Sequence, residues 1–376
     1  MNTTQTATGA NKFVKKLDWY SLRTVAICLA LALWPVAYKY SYRVPRLSKL
    51  NHLYLEVRHK QLDEEDLNAL AAGYYEDIES KRHLPVGDWA EQRNDYLLRD
   101  DLLRYEMKAN LNHAYGDGIR FTNSRGMANP EYGPEKPPHT WRIALMGDSV
   151  SLGPYGHSYD QLLEHKLNDC CTTKEIEQYQ VLNFSVPGYL LIQKMDVAIE
   201  RAKQFHPDVY VVAITSREKG GLIFWLAGLN KSGVDLKYDF LKKIETQAGV
   251  KQSDSELVVE SKLMPFREQI TLGALEQVRM SAQTQGARTV VFLVPFAEGL
   301  ETQETVLEQF DQLVATTGIP VVDLSHAYDS VADLTKIQID PPDDKHPNIR
   351  GNELIFDELD RRLRAQPDAM KAILGR

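Results

Sequence analysis

The chain after residue 140 predicts an α/β fold, a three-layer sandwich in which helices cover both faces of a doubly wound sheet of about five parallel strands. Two observations carry this prediction. Short apolar runs recur along the chain, and longer segments with apolar residues at helical spacing separate them. Strands that alternate with helices form parallel sheets, and right-handed crossovers wind such sheets on both faces.

The elements follow in a regular order. The five predicted strands are "RIALMG", "YQVLNFSV", "DVYVVAIT", "RTVVFLVPF" and "PVVDLSHA". Predicted helices include "YDQLLEHKL", "LLIQKMDVAIERAKQF" and "NELIFDELDRRLRAQ". We expect this domain to span residues 141–376.

An insertion over about residues 216–265 interrupts the rhythm between the third strand and its return helix. It contains "GGLIFWLAGL", whose apolar residues Ile223, Phe224, Trp225 and Leu226 lie near the expected site. A long insertion of this kind is typical of a lid or a partner surface. Ordinary packing of the segment onto the domain is the alternative.

The N-terminal part is not globular. Residues 1–20 predict a disordered tail, and residues 21–40 predict a membrane anchor that contacts lipid, because "TVAICLALALWPVAY" is uncharged and aromatic residues lie near its ends. A cleaved signal peptide is the alternative, but a long leader precedes the apolar run. The basic residues are balanced on the two sides, so charge does not assign the orientation.

Residues 41–140 predict a small α+β extension. The segment "LDEEDLNALAAGYYEDI" has helical spacing with Asp63 as a candidate N-cap, and Asp117-Gly118 is typical of a tight hairpin turn. Four prolines then predict an extended approach to the sheet: Pro130, Pro134, Pro137 and Pro138.

Composition excludes several function classes. A net charge of -8 gives no nucleic-acid footprint. The chain has three cysteines and no Cys/His spacing typical of zinc, so we expect neither a disulfide framework nor a metal or other cofactor. The adjacent Cys170 and Cys171 are interpreted as packing residues.

Four short sequences follow strands or precede the last helix, where parallel sheets bind ligands. Ser149 follows the first strand, Gly188 the second, and Thr215 to Glu218 ("TSRE") the third, while "DPPDDKHPN" precedes the last helix. A serine hydroxyl needs a base to become a nucleophile. The order of these residues therefore predicts a serine-dependent site.

His346 is the best candidate for that base among ten histidines, with Asp343 three positions earlier as the carboxylate that orients the imidazole. His326, at the end of the fifth strand, is the second candidate. The other histidines precede the sheet or fall in or beside helical segments.

The sequence resembles the SGNH (GDSL-type) hydrolases over about residues 141–366. "GDSVSLG" is similar to the first block of that family, Gly188 to the second and "DDKHPN" to the last. The resemblance implies a flavodoxin-like sandwich with Ser149 as nucleophile and with Asp343 and His346 as acid and base. Asp344 is an adjacent alternative for the acid. The resemblance also implies an oxyanion hole made by the N–H groups of Ser149 and Gly188.

The third block departs from the family pattern. The family has an asparagine donor followed by an aspartate, and "TSRE" puts Arg217 and Glu218 at those places. Arg217 is the candidate replacement for the missing oxyanion donor. Its pairing with Glu218 or another acid is the alternative.

A narrower resemblance covers the segment before the sheet. The apolar segment, "GYYEDI" and "FTNSRGMANPEYGPEKPPHTWRIALMGDS" are similar to bacterial SGNH proteins of exopolysaccharide machinery. This implies an acylated, usually acetylated, carbohydrate substrate and a membrane-bound O-acyltransferase as a candidate partner. It also implies a single-pass inner-membrane protein whose catalytic domain lies in the periplasm.

Three functions stay open at this stage. The first is an acyl-ester enzyme, an esterase if water accepts the acyl group and an O-acetyltransferase if a sugar does. The second is a catalytically weak SGNH module that binds polysaccharide or docks on a transferase. The third is a lysophospholipase or thioesterase, which the fold would suit equally.

Overall fold

The computed structural model describes residues 94–341 and 344–375. Its central sheet has five parallel strands, and the second of them along the chain lies at one edge, followed by the first, third, fourth and fifth. The strands are β5 (Thr140–Met146), β6 (Gln178–Asn183), β7 (Val209–Ile214), β8 (Arg288–Leu293) and β9 (Val321–Asp323). The predicted α/β fold with five parallel strands is confirmed.

The sheet is buried on both faces, as expected of a parallel sheet. All six residues of β7 are buried. Tyr210, Val212 and Ile214 belong to the core on one face, and Val209, Val211 and Ala213 belong to the core on the other. Because successive side chains of a strand alternate sides, the apolar run "VYVVAI" supplies both cores at once.

Helices form the two outer layers. They are α1 (Ser149–Leu152), α2 (Tyr159–Cys170), α3 (Leu191–Glu200), α4 (Glu218–Lys231), α5 (Asp239–Ala248), α6 (Glu256–Leu263), α7 (Arg267–Gln283), α8 (Leu300–Ala315), α9 (Ile349–Ala365) and α10 (Pro367–Leu374). Apolar residues of α3, α4 and α7 join one core, while those of α2, α9 and α10 join the other.

Two small antiparallel pairs precede the sheet. They consist of β1 (Tyr96–Leu98) with β2 (Tyr105–Met107) and of β3 (Asn112–Tyr115) with β4 (Gly118–Phe121). The hairpin turn between β3 and β4 is Gly116-Asp117, one residue earlier than predicted, because Gly118 already pairs with Tyr115. The Asp117 carboxylate accepts the Ile349 N–H at 3.0 Å, so the hairpin caps the start of α9.

Several predicted features lie outside the described residues: the tail over 1–20, the anchor over 21–40 and the helix that begins near Asp63. Within residues 94–375, apart from the gap, no helix is long and apolar enough to cross a bilayer.

The insertion after β7 folds as three helices, α4, α5 and α6. Ile223, Trp225 and Leu226 are buried in the core, whereas Phe224 is 46% exposed. Most of the apolar segment therefore packs onto the domain, which agrees with ordinary packing, the alternative to a lid or a partner surface.

The adjacent cysteines differ from the expectation. Cys170 and Cys171 are joined by a disulfide at the end of α2. Cys170 is exposed and Cys171 packs only partly against the core. A bond between neighbouring residues closes no long loop, so it adds no constraint of the kind that a disulfide framework supplies.

Candidate active site

Ser149 is the first residue of α1, immediately after the turn that ends β5. The Asp148 side chain caps this helix by accepting the Val150 N–H at 3.0 Å. Gly147 has no room for a side chain, because a Cβ there would lie 2.7 Å from Ser185 Oγ and would also overlap Ser151. The Gly-Asp-Ser sequence thus forms a sharp turn from strand to helix that leaves the Ser149 hydroxyl partly exposed.

The Ser149 hydroxyl contacts the imidazole of His346. The distance from Ser149 Oγ to His346 Nε2 is 2.6 Å, although the two residues are 197 positions apart. His346 lies on β11 (Asp344–Pro347), which pairs with β10 (Gln338–Asp340) in an antiparallel hairpin just before α9. The two residues that the sequence analysis singled out as nucleophile and base therefore lie within hydrogen-bonding distance.

Asp344 holds the other side of the imidazole. Its Oδ1 lies 2.5 Å from His346 Nδ1 and also accepts the His346 N–H at 2.9 Å. The hydrogen bond from His346 lowers the pKa of the Asp344 carboxyl. A serine hydroxyl, an imidazole and a carboxylate bonded in series can activate the hydroxyl as a nucleophile.

The position of the carboxylate corrects one expectation. Asp343, three positions before His346, is the expected acid and Asp344 the alternative, and the segment Asp344–Pro347 is a strand. Residues two apart share a face of a strand, so Asp344 reaches the imidazole. Asp343 itself lies outside the described residues.

An aromatic ring supports the imidazole from the loop after β8. The Phe296 ring meets His346 edge to face with 5.3 Å between centroids. Ala297 N–H donates to the Lys345 carbonyl at 3.0 Å, which ties the same loop to β11. The loop and the hairpin thus fix the orientation of His346 together.

Gly188 lies on the loop after β6, where the sequence Val-Pro-Gly-Tyr forms a turn. The Tyr189 N–H donates to the Val186 carbonyl at 3.1 Å, and Gly188 has a φ of 80°. Positive φ at the third position of a turn, after proline, is typical of a type II turn and favours glycine. The Val186 N–H donates to the Gly147 carbonyl at 3.3 Å, so this loop lies against the turn that carries Ser149.

Arg217 lies at the rim of the site. Its guanidinium is centred 4.4 Å from the Phe296 ring, in a cation–π contact. Among the described residues no carboxylate forms an ion pair with it, and its charge contributes to the lowered pKa of Asp344. The alternative pairing of Arg217 with Glu218 is therefore not present in the structure.

Glu218 is buried and pairs with Lys194 instead. Glu218 Oε1 lies 2.6 Å from Lys194 Nζ, and Oε2 accepts the Leu191 N–H at 2.8 Å. Burial raises the pKa of the Glu218 carboxyl, and the Lys194 ammonium opposes that shift. Because Leu191 begins α3, Glu218 fastens the third loop to the segment that follows Gly188.

Thr215 connects the third loop to the nucleophile turn. Thr215 Oγ1 donates to Asp148 Oδ2 at 2.7 Å, and Lys194 Nζ lies 3.8 Å from the same oxygen. Thr215 and Glu218 of the "TSRE" segment thus hold the Ser149 turn and the segment after Gly188, respectively.

Sequence reasoning missed these supporting residues. The mostly apolar helical segment "LLIQKMDVAI" contains three polar residues, Gln193, Lys194 and Asp196, and all three are buried. That mismatch was the available signal, since lysine is almost never fully buried unless paired.

His326, the second candidate for the base, does not contact Ser149. Its Nδ1 lies 3.0 Å from Asp329 Oδ2 in a short 3₁₀ helix after β9, where both side chains are exposed. Within the described residues, no group of three or more His, Cys, Asp or Glu side chains could hold a metal ion.

No family model matches this chain, and no curated protein matches it. Solved structures with some similarity include Axe2, an acetylxylan esterase from Geobacillus stearothermophilus, at 12% identity and a TM-score of 0.39, covering 59% of this chain and 93% of that one. The psychrotrophic esterase EstA from Pseudoalteromonas sp. has 14% identity and a TM-score of 0.37, covering 60% and 98%. TesA has 12% identity and a TM-score of 0.37, covering 60% of this chain and 98% of that one.

Proposed function

We propose that this protein is an SGNH-type serine acyl-ester enzyme that works through an acyl-enzyme on Ser149. One observation carries the proposal. Ser149 Oγ lies 2.6 Å from His346 Nε2, and Asp344 binds Nδ1 of the same ring. Nucleophile, base and orienting carboxylate in series are what acyl transfer requires.

The reaction follows from this arrangement. Ser149 Oγ attacks the ester carbonyl carbon while His346 Nε2 takes its proton, and Asp344 stabilises the resulting imidazolium. The tetrahedral intermediate collapses and expels the alcohol, which takes the proton from His346. The acceptor, water or a sugar hydroxyl, then attacks the acyl-enzyme carbonyl while His346 takes its proton. The second tetrahedral intermediate expels Ser149 Oγ, which takes that proton back from His346.

Charge develops on the former carbonyl oxygen in both steps. We assign the N–H groups of Ser149 and Gly188 as two donors to this oxyanion and Arg217 as the third. The exposed guanidinium of Arg217 lies over Phe296, which in turn contacts His346, so it is close to the reacting groups. Donors that are fixed before the reaction stabilise this charge most effectively.

We propose acylated, principally acetylated, carbohydrate as the substrate class. The substrate class rests on the resemblance of the segment before β5 to SGNH proteins of exopolysaccharide machinery. The same resemblance supports an inner-membrane anchor over residues 21–40, a periplasmic catalytic domain and a membrane-bound O-acyltransferase as partner. Water as acceptor makes the protein an esterase, and a sugar hydroxyl makes it an O-acetyltransferase.

A lysophospholipase or thioesterase would need exposed apolar residues near the site to hold a long acyl chain, and the insertion offers few of them. Of the four adjacent apolar residues at positions 223–226, only Phe224 is exposed, and Ile223, Trp225 and Leu226 belong to the core. We therefore expect short acyl groups to be preferred.

Turnover of p-nitrophenyl esters tests the proposal. We expect the protein to hydrolyse the acetyl ester faster than the long-chain esters and Ser149→Ala to abolish turnover. Ser281→Ala is the control, because Ser281 lies on α7, close to the amino end of β8 and away from the site. Full activity of Ser149→Ala, or no turnover by the unaltered protein, would contradict the enzyme and favour the binding module.

The acceptor requires a separate measurement. Incubation with an acetylated polysaccharide and an unacetylated oligosaccharide distinguishes release of free acetate from transfer to the oligosaccharide. Fractionation of cells that produce the full chain, followed by protease treatment of intact spheroplasts, tests the membrane anchor and the periplasmic side.

A further inference from the structure

We infer that Tyr105, which lies outside the sheet domain, positions the Gly188 N–H as an oxyanion donor. This inference rests on the proposed function and adds a positioning residue to it. Tyr105 belongs to β2 and precedes Ser149 by more than forty residues, and no sequence motif connects it with the site.

Tyr105 contacts the loop after β6 through a hydrogen bond of its hydroxyl. Tyr105 Oη donates to the Pro187 carbonyl at 2.9 Å, and the bond is buried. A carbonyl can only accept, so the tyrosine supplies the proton. Burial raises the pKa of Tyr105 well above its ordinary value, which keeps the hydroxyl protonated and able to donate throughout the working pH range.

The Pro187 carbonyl and the Gly188 N–H belong to the same peptide unit. A peptide unit is planar and almost always trans, so its C=O and N–H point in opposite directions. Because the carbonyl points at the buried tyrosine, the N–H points away from the core. Gly188 is exposed, and its N–H has no acceptor within the described residues.

Tyr105 is itself held firmly. Its side chain is fully buried, and its ring meets those of Tyr96 and Tyr189 edge to face at 5.4 and 5.3 Å. Tyr189 Oη also donates to the Tyr105 carbonyl, so each tyrosine binds the backbone of the other's segment. This mutual bonding fixes the type II turn on the side opposite the substrate.

The consequence concerns the transition state. A type II turn can exchange with a type I turn by rotation of its central peptide, which is the Pro187–Gly188 unit. That rotation would turn the proposed donor away from the oxyanion. The Tyr105 hydroxyl opposes this rotation. The hydrogen bond from the Gly188 N–H to the oxyanion exists only in the transition state, so its loss lowers kcat and leaves KM unchanged.

The test removes the hydroxyl alone. Tyr105→Phe keeps the buried ring, and Tyr179→Phe is the matched control. Tyr179 is also fully buried, and its hydroxyl donates to main-chain carbonyls, of Leu374 at 3.1 Å and of Cys171 at 3.2 Å, outside the site. The measurements are kcat and KM for p-nitrophenyl acetate, the rate of inactivation by a fluorophosphonate, and the melting temperature.

We expect Tyr105→Phe to lower kcat and the inactivation rate about tenfold with KM unchanged, as loss of one orienting hydrogen bond predicts. Tyr179→Phe should keep both rates, and its melting temperature should fall about as much as that of Tyr105→Phe. Equal rates in the two variants would overturn the positioning role and leave the proposed function intact. Full activity of Ser149→Ala would overturn the proposed function, and the inference with it.

Discussion

At the scale of single residues, the site depends on the two-residue period of a short strand. Asp344 and His346 lie on the same face of β11, so the carboxylate and the imidazole meet without any turn between them. Asp343, the adjacent candidate for the acid, lies outside the described residues.

This alternation predicts different effects for two neighbouring carboxylates. We expect Asp344→Asn to lower kcat by about 10³- to 10⁴-fold, because the amide no longer stabilises the imidazolium. Asp343→Asn should leave kcat within about twofold. Steady-state kinetics on p-nitrophenyl acetate checks both variants, and the reverse order would assign the acid role to Asp343.

Arg217 gives a second prediction at this scale. If its guanidinium is the third oxyanion donor, Arg217→Met lowers kcat by about 100-fold or more with little change in KM. Lys219→Met removes a cation two positions along the same chain segment and serves as the control for net charge. A similar, small effect of both variants would mean that Arg217 only packs on Phe296.

At the scale of elements, the helix that carries Ser149 is supported by a buried acid. Asp160, near the start of α2, accepts a hydrogen bond from Asn183 Nδ2 at 2.9 Å, and the same amide donates to the Ser151 carbonyl at 2.8 Å. Burial raises the pKa of Asp160 to about 7.

The raised pKa predicts a dependence of stability on pH. The folded protein binds the Asp160 proton more tightly than the unfolded chain, in which the pKa is about 3.9. The stabilisation is therefore complete below about pH 4 and is lost as the pH rises to about 7, by on the order of a few kcal/mol. Asp160→Asn should remove this part of the pH dependence.

Urea unfolding between pH 4 and 8 measures the effect. Asp169→Asn is the matched control, because Asp169 is an exposed carboxylate on the same helix. The free energy of unfolding should fall less steeply with pH in Asp160→Asn than in the unaltered protein or in Asp169→Asn. Identical pH profiles for all three would show that Asp160 is ionised when folded.

At the scale of the whole molecule, topology brings the two ends of the site together. Ser149 and Thr215 follow β5 and β7, which are adjacent although β6 lies between them in the chain. Crevices form at such a switch in strand order. The hairpin of β10 and β11 then brings His346 to the same edge of the sheet.

The regular part of this architecture could be predicted from the sequence, and the supporting contacts could not. Each apolar run lies at a strand because β-strands buried on both faces need continuous apolar sequence. The positions of Ser149 and His346 could be predicted because parallel sheets bind ligands at the carboxyl ends of their strands. The bond of Tyr105 to Pro187 and the pairing of Lys194 with Glu218 join distant segments, and their residue types alone give no partner.

Local conformation limited the prediction elsewhere. The sequence leaves both Asp343 and Asp344 as candidates for the acid, and only the strand over residues 344–347 shows that Asp344 contacts the imidazole. The hairpin turn was placed one residue late because both Gly116-Asp117 and Asp117-Gly118 suit a tight turn. Single-residue shifts of this kind decide contacts without changing the fold.

The most direct test of the central claim is covalent trapping of the nucleophile. A fluorophosphonate should form one adduct on the purified protein, and peptide mass spectrometry should assign it to Ser149. His346→Ala should slow the labelling strongly, because the hydroxyl loses its base. An adduct on another residue, or a labelling rate that does not depend on His346, would contradict the account.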